Sequence, residues 1–390
     1  MNLNIGLLRT ETPACEGLVH FNNAGAALQP RPVIEAQINH LSLEQRIGGY
    51  EAAAANSIQI ENFYNAFASL LNCATHEIAY AESSSRAWTQ LLLSISFKPG
   101  DRILIGQAEY ASNYLGLLHL ARQRDLRIEV IPNNSEGTLC LATLEQKLDD
   151  DVRLVALTHI GSQSGSIQPA EEVGQLLKHH RAFYILDACQ AAGQLQLDVQ
   201  KIGCDMLTGS GRKYLRGPRG TGFLYVRHSI LEDLTPQAID LQAVNWIRPD
   251  HYELRNDARR FEMWEQNVAG KIALGVAADY ASQLGMAAVE RRICTLAALL
   301  RQQLVEIPAI RIHDQGQHLG GIVSFSLDGI PAATLQQKLQ AQRINTSVIR
   351  RQSTQLDFTA RQLGDINRAS VHYYNTESEI EHFCAVLRTL

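Results

Sequence analysis

The sequence predicts an α/β fold: a mostly parallel sheet with helices on both faces. Two observations carry this. Through the middle of the chain, short apolar runs alternate with longer amphipathic ones. The apolar runs are nearly continuous rather than alternating, as expected of strands buried on both faces.

The elements follow in order. Strands are predicted at RILIGQ (102–107), RIEVI (127–131), RLVALTHI (153–160), AFYILDAC (182–189), CDMLTGS (204–210) and GTGFLYV (220–226). Helices fall at 84–96, 111–124, 141–149, 169–180 and 198–203. The strands within 204–226 are joined too tightly for a helical crossover, so one antiparallel strand is expected. Four alanines at 52–55 sit inside a long helical pattern. After about residue 228 the pattern changes. A polar, aromatic-bearing stretch (245–265) leads into a helix near 266–284. A second αβ block follows: helix 287–305, strand VSFSL (323–327), helix 332–341, strand RASVHYY (368–374) and helix 377–388. This divides the chain into a large domain, 17–260, and a smaller C-terminal α/β domain made of 1–16 and 261–390.

Composition narrows the function. Of 390 residues, 45% are apolar and 19% charged, enough for a sizeable core. Thirty-five basic against 40 acidic residues give a net charge of −5, which offers no basic field to nucleic acid. No apolar run approaches the roughly 18 residues of a membrane span. The start, MNLNIGLLRTETPACEG, lacks a basic n-region and a long apolar core, so a signal peptide is not expected. The 7 cysteines are scattered without a CxxC pair. Neither a disulfide framework nor a metal site is indicated, and a reducing, cytoplasmic setting is the expectation.

The chemistry concentrates in YILDACQ (184–190) and LTGSGRKYLRGPRGTG (207–222). Asp187 falls at the carboxyl end of a buried strand and Lys213 just past the end of the next. In an open α/β sheet those ends converge on the ligand crevice. A lysine amine for a Schiff base and a carboxylate for a pyridine nitrogen are what pyridoxal 5′-phosphate requires. The phosphate needs donors, and AYAESSSRAWTQLLLSI (79–95) offers Ser83 and Ser84 at the cap or first turn of a helix.

Residues 186–227 resemble the core of the class V aminotransferases, a branch of the fold type I pyridoxal-phosphate enzymes that includes the cysteine desulfurases. Similar segments extend along nearly the whole chain: HFNNAGAALQP (20–30), GQAEYASNYL (106–115), THIGSQSG (158–165), RRFEMWEQNVAG (259–270) and NRASVHYYNTESEIEHF (367–383). The resemblance implies a seven-stranded sheet and specific roles. Lys213 holds the cofactor and moves the substrate α-proton. Asp187 pairs with the pyridine nitrogen, and Gln190 donates to the ring hydroxyl oxygen. Ser83, Ser84, Ser210 and Arg212 meet the phosphate. Arg368 binds the substrate α-carboxylate, while Asn23, Ala24, Gly25 and Ser162 line the substrate side. A homodimer is implied, with Tyr50, Trp264 and Gln266 reaching the partner.

The chain also departs from the family pattern. Tyr110 stands where a histidine usually stacks on the ring; its aromatic face still stacks, but a tyrosine hydroxyl is a poor proton shuttle near neutral pH. Arg212 replaces the usual histidine before the lysine, and Ser162 replaces a loop asparagine. The segment SVIRRQSTQLDFTARQLGDIN (347–367), which in desulfurases carries the sulfur-accepting cysteine, contains none. Without that nucleophile, α,β-elimination is the expected chemistry: a C–S lyase acting on cystine or cysteine, similar to the cyanobacterial C–S lyases. A desulfurase using another thiol, an aminotransferase or an epimerase is the alternative. Arg350, Arg351 and Arg361 are candidates for the second carboxylate of a double-ended substrate, although a solvated basic loop explains most of them. A downstream sulfur acceptor, such as an iron–sulfur apoprotein, is an implied partner.

Overall fold

The computed structural model describes residues 3–390. Its central sheet has seven strands: β1 (Ile78–Ala81), β2 (Arg102–Gly106), β3 (Arg127–Ile131), β4 (Val152–Thr158), β5 (Phe183–Asp187), β6 (Met206–Ser210) and β7 (Gly222–Val226). Their spatial order is β1-β7-β6-β5-β4-β2-β3. β7 runs against both its neighbours, β1 and β6; every other pairing is parallel. The expected antiparallel strand is therefore β7.

Side chains alternate across this sheet with a period of two. Leu104, Val155, Leu157, Tyr184, Leu186, Leu207 and Phe223 face one core, shared with helices Ser57–Leu71 and Ala170–Leu177. Ile103, Ile105, Leu154, Ala156, Ile185, Met206 and Leu224 face the other, shared with helices Ser84–Ser94 and Ala111–Arg124. Because both faces are covered, the inner strands β5 and β6 are apolar until their carboxyl ends. There Thr158, Asp187 and Thr208 stand level, paired strand to strand.

A second sheet has four antiparallel strands, ordered Ile310–Ile312, Ile322–Leu327, Ile366–Ser370 and Ser347–Ile349. It packs on helices Met286–Val305 and Glu377–Arg388 through Leu296, Leu300, Val323, Phe325, Phe383 and Leu387. Thr376 and Glu379 close a reciprocal cap at the start of the last helix.

Several expectations need correction. The long N-terminal helical pattern is broken by Gly48, at φ +99°, and by Asn56 into Arg31–Ile47, Gly49–Ala55 and Ser57–Leu71. The polar stretch after 228 contains an exposed hairpin, Val244–Arg248 with His251–Leu254. The strand expected over 368–374 stops at Ser370. Its apolar continuation is a buried turn instead, in which the Asn375 side chain accepts from the His372 N–H at 2.8 Å. The strands Ile310–Ile312 and Ser347–Ile349, three residues each, went unanticipated.

One buried cation ties these parts together. Arg216, three residues past Lys213, is 1% exposed and adopts φ +61°. Its guanidinium donates to Leu28 O at 2.7 Å, Tyr373 Oη at 2.6 Å and Thr12 Oγ1 at 2.5 Å. It also lies 4.5 Å from the Tyr374 ring centroid. The N-terminal segment, the glycine-rich loop and the C-terminal turn thus share one fork of donors. Replacing Arg216 by Lys keeps the charge but loses the fork. The substitution is expected to cost roughly 2–4 kcal/mol, read as a lower urea midpoint at unchanged slope. An unchanged midpoint would show that the clamp carries no net stability.

Candidate active site

The crevice opens at the carboxyl ends of β4, β5 and β6. Asp187 lies at its floor, 3% exposed. Its Oδ1 accepts from the Cys189 N–H at 2.8 Å and its Oδ2 from the Asn113 amide at 2.7 Å. Both contacts hold the carboxylate in one orientation and leave it capacity for a further donor. Lys213 is buried, and its Nζ sits 5.7 Å from the centroid of the Tyr110 ring. The lysine, the tyrosine and the strand-end aspartate, far apart in sequence, are gathered as expected.

The anion end is built from a helix terminus. Ser83 caps helix Ser84–Ser94, accepting from the Arg86 N–H at 3.2 Å. Ser84, Ser210 and Arg212 line the same pocket. At Gly222, the first residue of β7, a Cβ would stand 2.8 Å from the Ser83 carbonyl carbon and the Ser84 nitrogen. Close approach of strand and helix keeps the first-turn N–H groups facing the pocket. Ser85 and Thr221 also line it. The serine run and the GTG sequence were visible, but which hydroxyls turn inward depends on the cap. Arg212 divides its fork: one nitrogen donates to the Gly25 carbonyl.

On the opposite side stands Arg368, in the middle of the second sheet, where it pairs across to Ser324 and Ser347. It is 8% exposed. Its guanidinium donates to Ser162 O at 2.8 Å and to Asn22 Oδ1 at 3.4 Å, while Nε has no partner. Neither partner is a carboxylate. Burial, and then repulsion from Arg212, lowers its pKa to about 10. A buried guanidinium with an open donor and no anion is a receptor for one.

The loop at 22–25 differs from expectation in one residue. Asn23 is fully buried, and its amide donates to His20 O at 3.0 Å and Ser370 O at 2.7 Å, while its oxygen accepts from the Tyr374 hydroxyl. Its side chain is consumed in anchoring the loop; the neighbouring Asn22 faces Arg368. Ala24 and Gly25 contribute carbonyls, to Gln190 Nε2 at 3.1 Å and to Arg212 respectively. Ser162 takes part through its backbone carbonyl. Gln190 keeps a second amide hydrogen free, and its Oε1 is buried without a partner.

Residues 347–367 form a folded segment. Phe358 is fully buried with Ile349 and Ile366. Arg361 is held by Asp357 at 3.3 Å and by the His313 carbonyl, so it is committed locally. Arg350 and Arg351 are exposed. Of the residues expected to reach a partner, Tyr50 and Trp264 are exposed, at 77% and 56%. The Gln266 amide instead turns inward, to Glu262 and Met263.

Comparison with known proteins places this geometry. The aminotransferase class-V model matches residues 19–383. The chain belongs to the class V aminotransferase family. A relative from Pyrococcus abyssi named a probable cysteine desulfurase is 28% identical over 391 residues, covering 98% of this chain and 96% of its own. The apo structure of a cysteine desulfurase from Thermococcus onnurineus superposes with a TM-score of 0.93 at 26% identity, over 100% of this chain and 98% of that one. The cystine C–S lyase C-DES, solved with its product cysteine persulfide, gives 0.88 at 23% identity, covering 97% and 99%; at that identity the likeness is one of fold. The fold is thus the fold type I architecture of the pyridoxal-phosphate enzymes.

The class V cofactor is pyridoxal 5′-phosphate, and the donor set fits it. Asp187 has acceptor capacity at the floor, Gln190 and Arg368 carry buried unpartnered atoms, and the strand–helix approach at Gly222 leaves a cradle of hydroxyls and N–H groups.

Cys189 also lines the pocket, and burial, with the Asp187 charge behind it, pushes its thiol up to about 12. Cys140 differs: it is half-buried, and the Thr143 hydroxyl, 3.2 Å from its sulfur, lowers it. Peptide mapping after brief iodoacetamide treatment of native protein at pH 8 should find Cys140 modified and Cys189 intact. Rapid labelling of Cys189 would show that its thiolate is accessible.

Proposed function

We propose that this protein is a pyridoxal-phosphate-dependent carbon–sulfur lyase that cleaves L-cystine, and L-cysteine, by α,β-elimination. The observation that carries the reading is the segment 347–367, which contains no cysteine and packs as a folded unit beside Arg368. The thiol nearest the chemistry, Cys189, lies buried against Asp187 and is held protonated. No nucleophile is therefore poised to take sulfur from a substrate in the pocket.

When bound, the cofactor supplies an electron sink for the pair released at Cα. The protein's own groups do the rest. Arg368 binds the substrate α-carboxylate through two parallel N–H donors, which fixes the α-hydrogen toward Lys213. Lys213, the residue that would hold the cofactor, would accept the α-proton at Nζ. Asp187 would hold the ring nitrogen of the cofactor and keep a proton there. Tyr110 would cover its ring and exclude water without competing for the proton. The Cβ–S bond then breaks and sulfur leaves with its electron pair. From cystine the leaving group is a persulfide, a weaker base than a thiolate and so the better leaving group. One cystine and one water give pyruvate, ammonia and cysteine persulfide. The small molecule released would serve a downstream acceptor in iron–sulfur cluster assembly, and a reducing cytoplasm suits a chain whose described cysteines are all free thiols.

A homodimer accompanies this reading. Tyr50 and Trp264 border a surface cavity of about 650 Å³ that also reaches Arg259 and Lys271, and Ile34, Ile38 and Leu41 expose one side of helix Arg31–Ile47. An apolar face of this extent is what a second copy would cover.

The relatives' names favour one other reading, cysteine desulfuration, and the products separate the two. Incubation with L-cystine and with L-cysteine should yield pyruvate, with cystine the better substrate; alanine as the main product would overturn elimination. Arg368→Lys should raise KM roughly 10- to 100-fold, while Lys213→Ala should remove the visible band of the bound cofactor. A normal band in that variant would overturn the lysine assignment.

A further inference from the structure

Behind Asp187 lies a second buried carboxyl that the mechanism above does not use. Glu109 closes the turn between β2 and helix Ala111–Arg124 and is 4% exposed. Its Oε1 accepts from the Thr158 hydroxyl at 2.7 Å, the Asn113 amide at 2.9 Å and the Tyr110 N–H at 3.0 Å. The same Asn113 nitrogen donates to Asp187 Oδ2 at 2.7 Å. An amide carries two hydrogens, so each carboxyl takes one. Asn113 is 2% exposed and can satisfy both only in this orientation. The contacts join three strand ends: β2 through Glu109, β4 through Thr158 and β5 through Asp187.

We propose that Glu109 is a positioning residue for Asp187: through the Asn113 amide it fixes the Asp187 carboxylate toward the cofactor's ring nitrogen and places a second carboxyl behind it. The proposal rests on the reading that Asp187 meets that nitrogen.

The surroundings support an electrostatic as well as a geometric role. Glu109 Oε2 has no partner among the described residues. Burial, and then the Asp187 charge, raise the Glu109 pKa to about 7, against the three hydrogen bonds that lower it. His159 and Cys189, beside this layer, are uncharged near pH 7. Burial lowers His159, next to Thr158, to about 4, and Cys189 is pushed up to about 12. Lys213 Nζ stands over the Tyr110 ring on the far side. Glu109 is therefore the group in this layer whose charge changes around neutrality. Its ionised form favours protons on the cofactor; its neutral form does not.

The test needs no turnover. The visible band of the bound cofactor is titrated with pH in wild-type, Glu109→Gln and Thr158→Val holoenzymes. Glutamine keeps an oxygen that can accept from Asn113, Thr158 and the Tyr110 N–H, so Glu109→Gln removes the charge and leaves the scaffold. Its midpoint should fall by on the order of 0.5–1 pH unit. Thr158→Val strips one donor from Glu109 and makes it harder to ionise, so the midpoint should fall in the same direction by less. This variant stands in if Glu109→Gln does not fold. Midpoints unchanged in both variants would overturn the proposal while leaving the lyase reading intact. Wild-type protein that forms no visible band with the cofactor would overturn this proposal together with the cofactor reading beneath it.

Discussion

The architecture around the crevice depends on a guanidinium that has no carboxylate to neutralise it. Arg216 exchanges water for a carbonyl, two hydroxyls and the faces of tyrosine rings. Burying a cation on such terms is costly unless every donor is matched. Matching them requires Thr12, Leu28 and Tyr373 to arrive together. The loop that carries Lys213 therefore cannot settle until the N-terminal segment and the C-terminal turn are in place. Arg368 and Lys213 are then set against each other by a contact that belongs to neither.

Much of this was legible in the sequence because parallel strands buried on both faces write themselves as apolar runs. Residues 183–187 and 206–210 are of that kind, and a polar residue at the end of such a run can point only into the crevice. That logic located Asp187 and, with the glycines around it, Lys213. It failed where elements are short or lean on distant partners. The strand 347–349 has three residues and exists because Ile366–Ser370 offers it an edge. Residues 371–374 carry the apolar pattern of a strand but are needed by Arg216 and Asn375 as a turn. The exchange of roles between Asn22 and Asn23 is of the same sort. Two identical side chains one residue apart are told apart only by which one the Tyr374 hydroxyl reaches.

The segment around Tyr110 shows a different limit. Its resemblance to the family directed attention to the residue that covers the ring. Glu109 and Asn113, one before and three after, were in plain view. A carboxyl and an amide near a helix start are expected to face solvent until the fold buries them. Their significance comes from β5 bringing Asp187 within reach of the same amide nitrogen. Strand order, not local sequence, makes them a unit.

The protonated state of Cys189 has a consequence for an enzyme of this kind. A persulfide released in the crevice is itself electrophilic at sulfur, and any thiolate beside it would be a target for exchange. The pocket of this protein does contain a thiol, yet it is buried against the Asp187 carboxylate, where losing its proton is unfavourable. In the proposed elimination, the catalyst would thereby be protected from its own product. Under that proposal, sulfur would leave the crevice as a diffusible molecule rather than as a modification of the protein, and its fate would be decided by whatever thiol it met in solution.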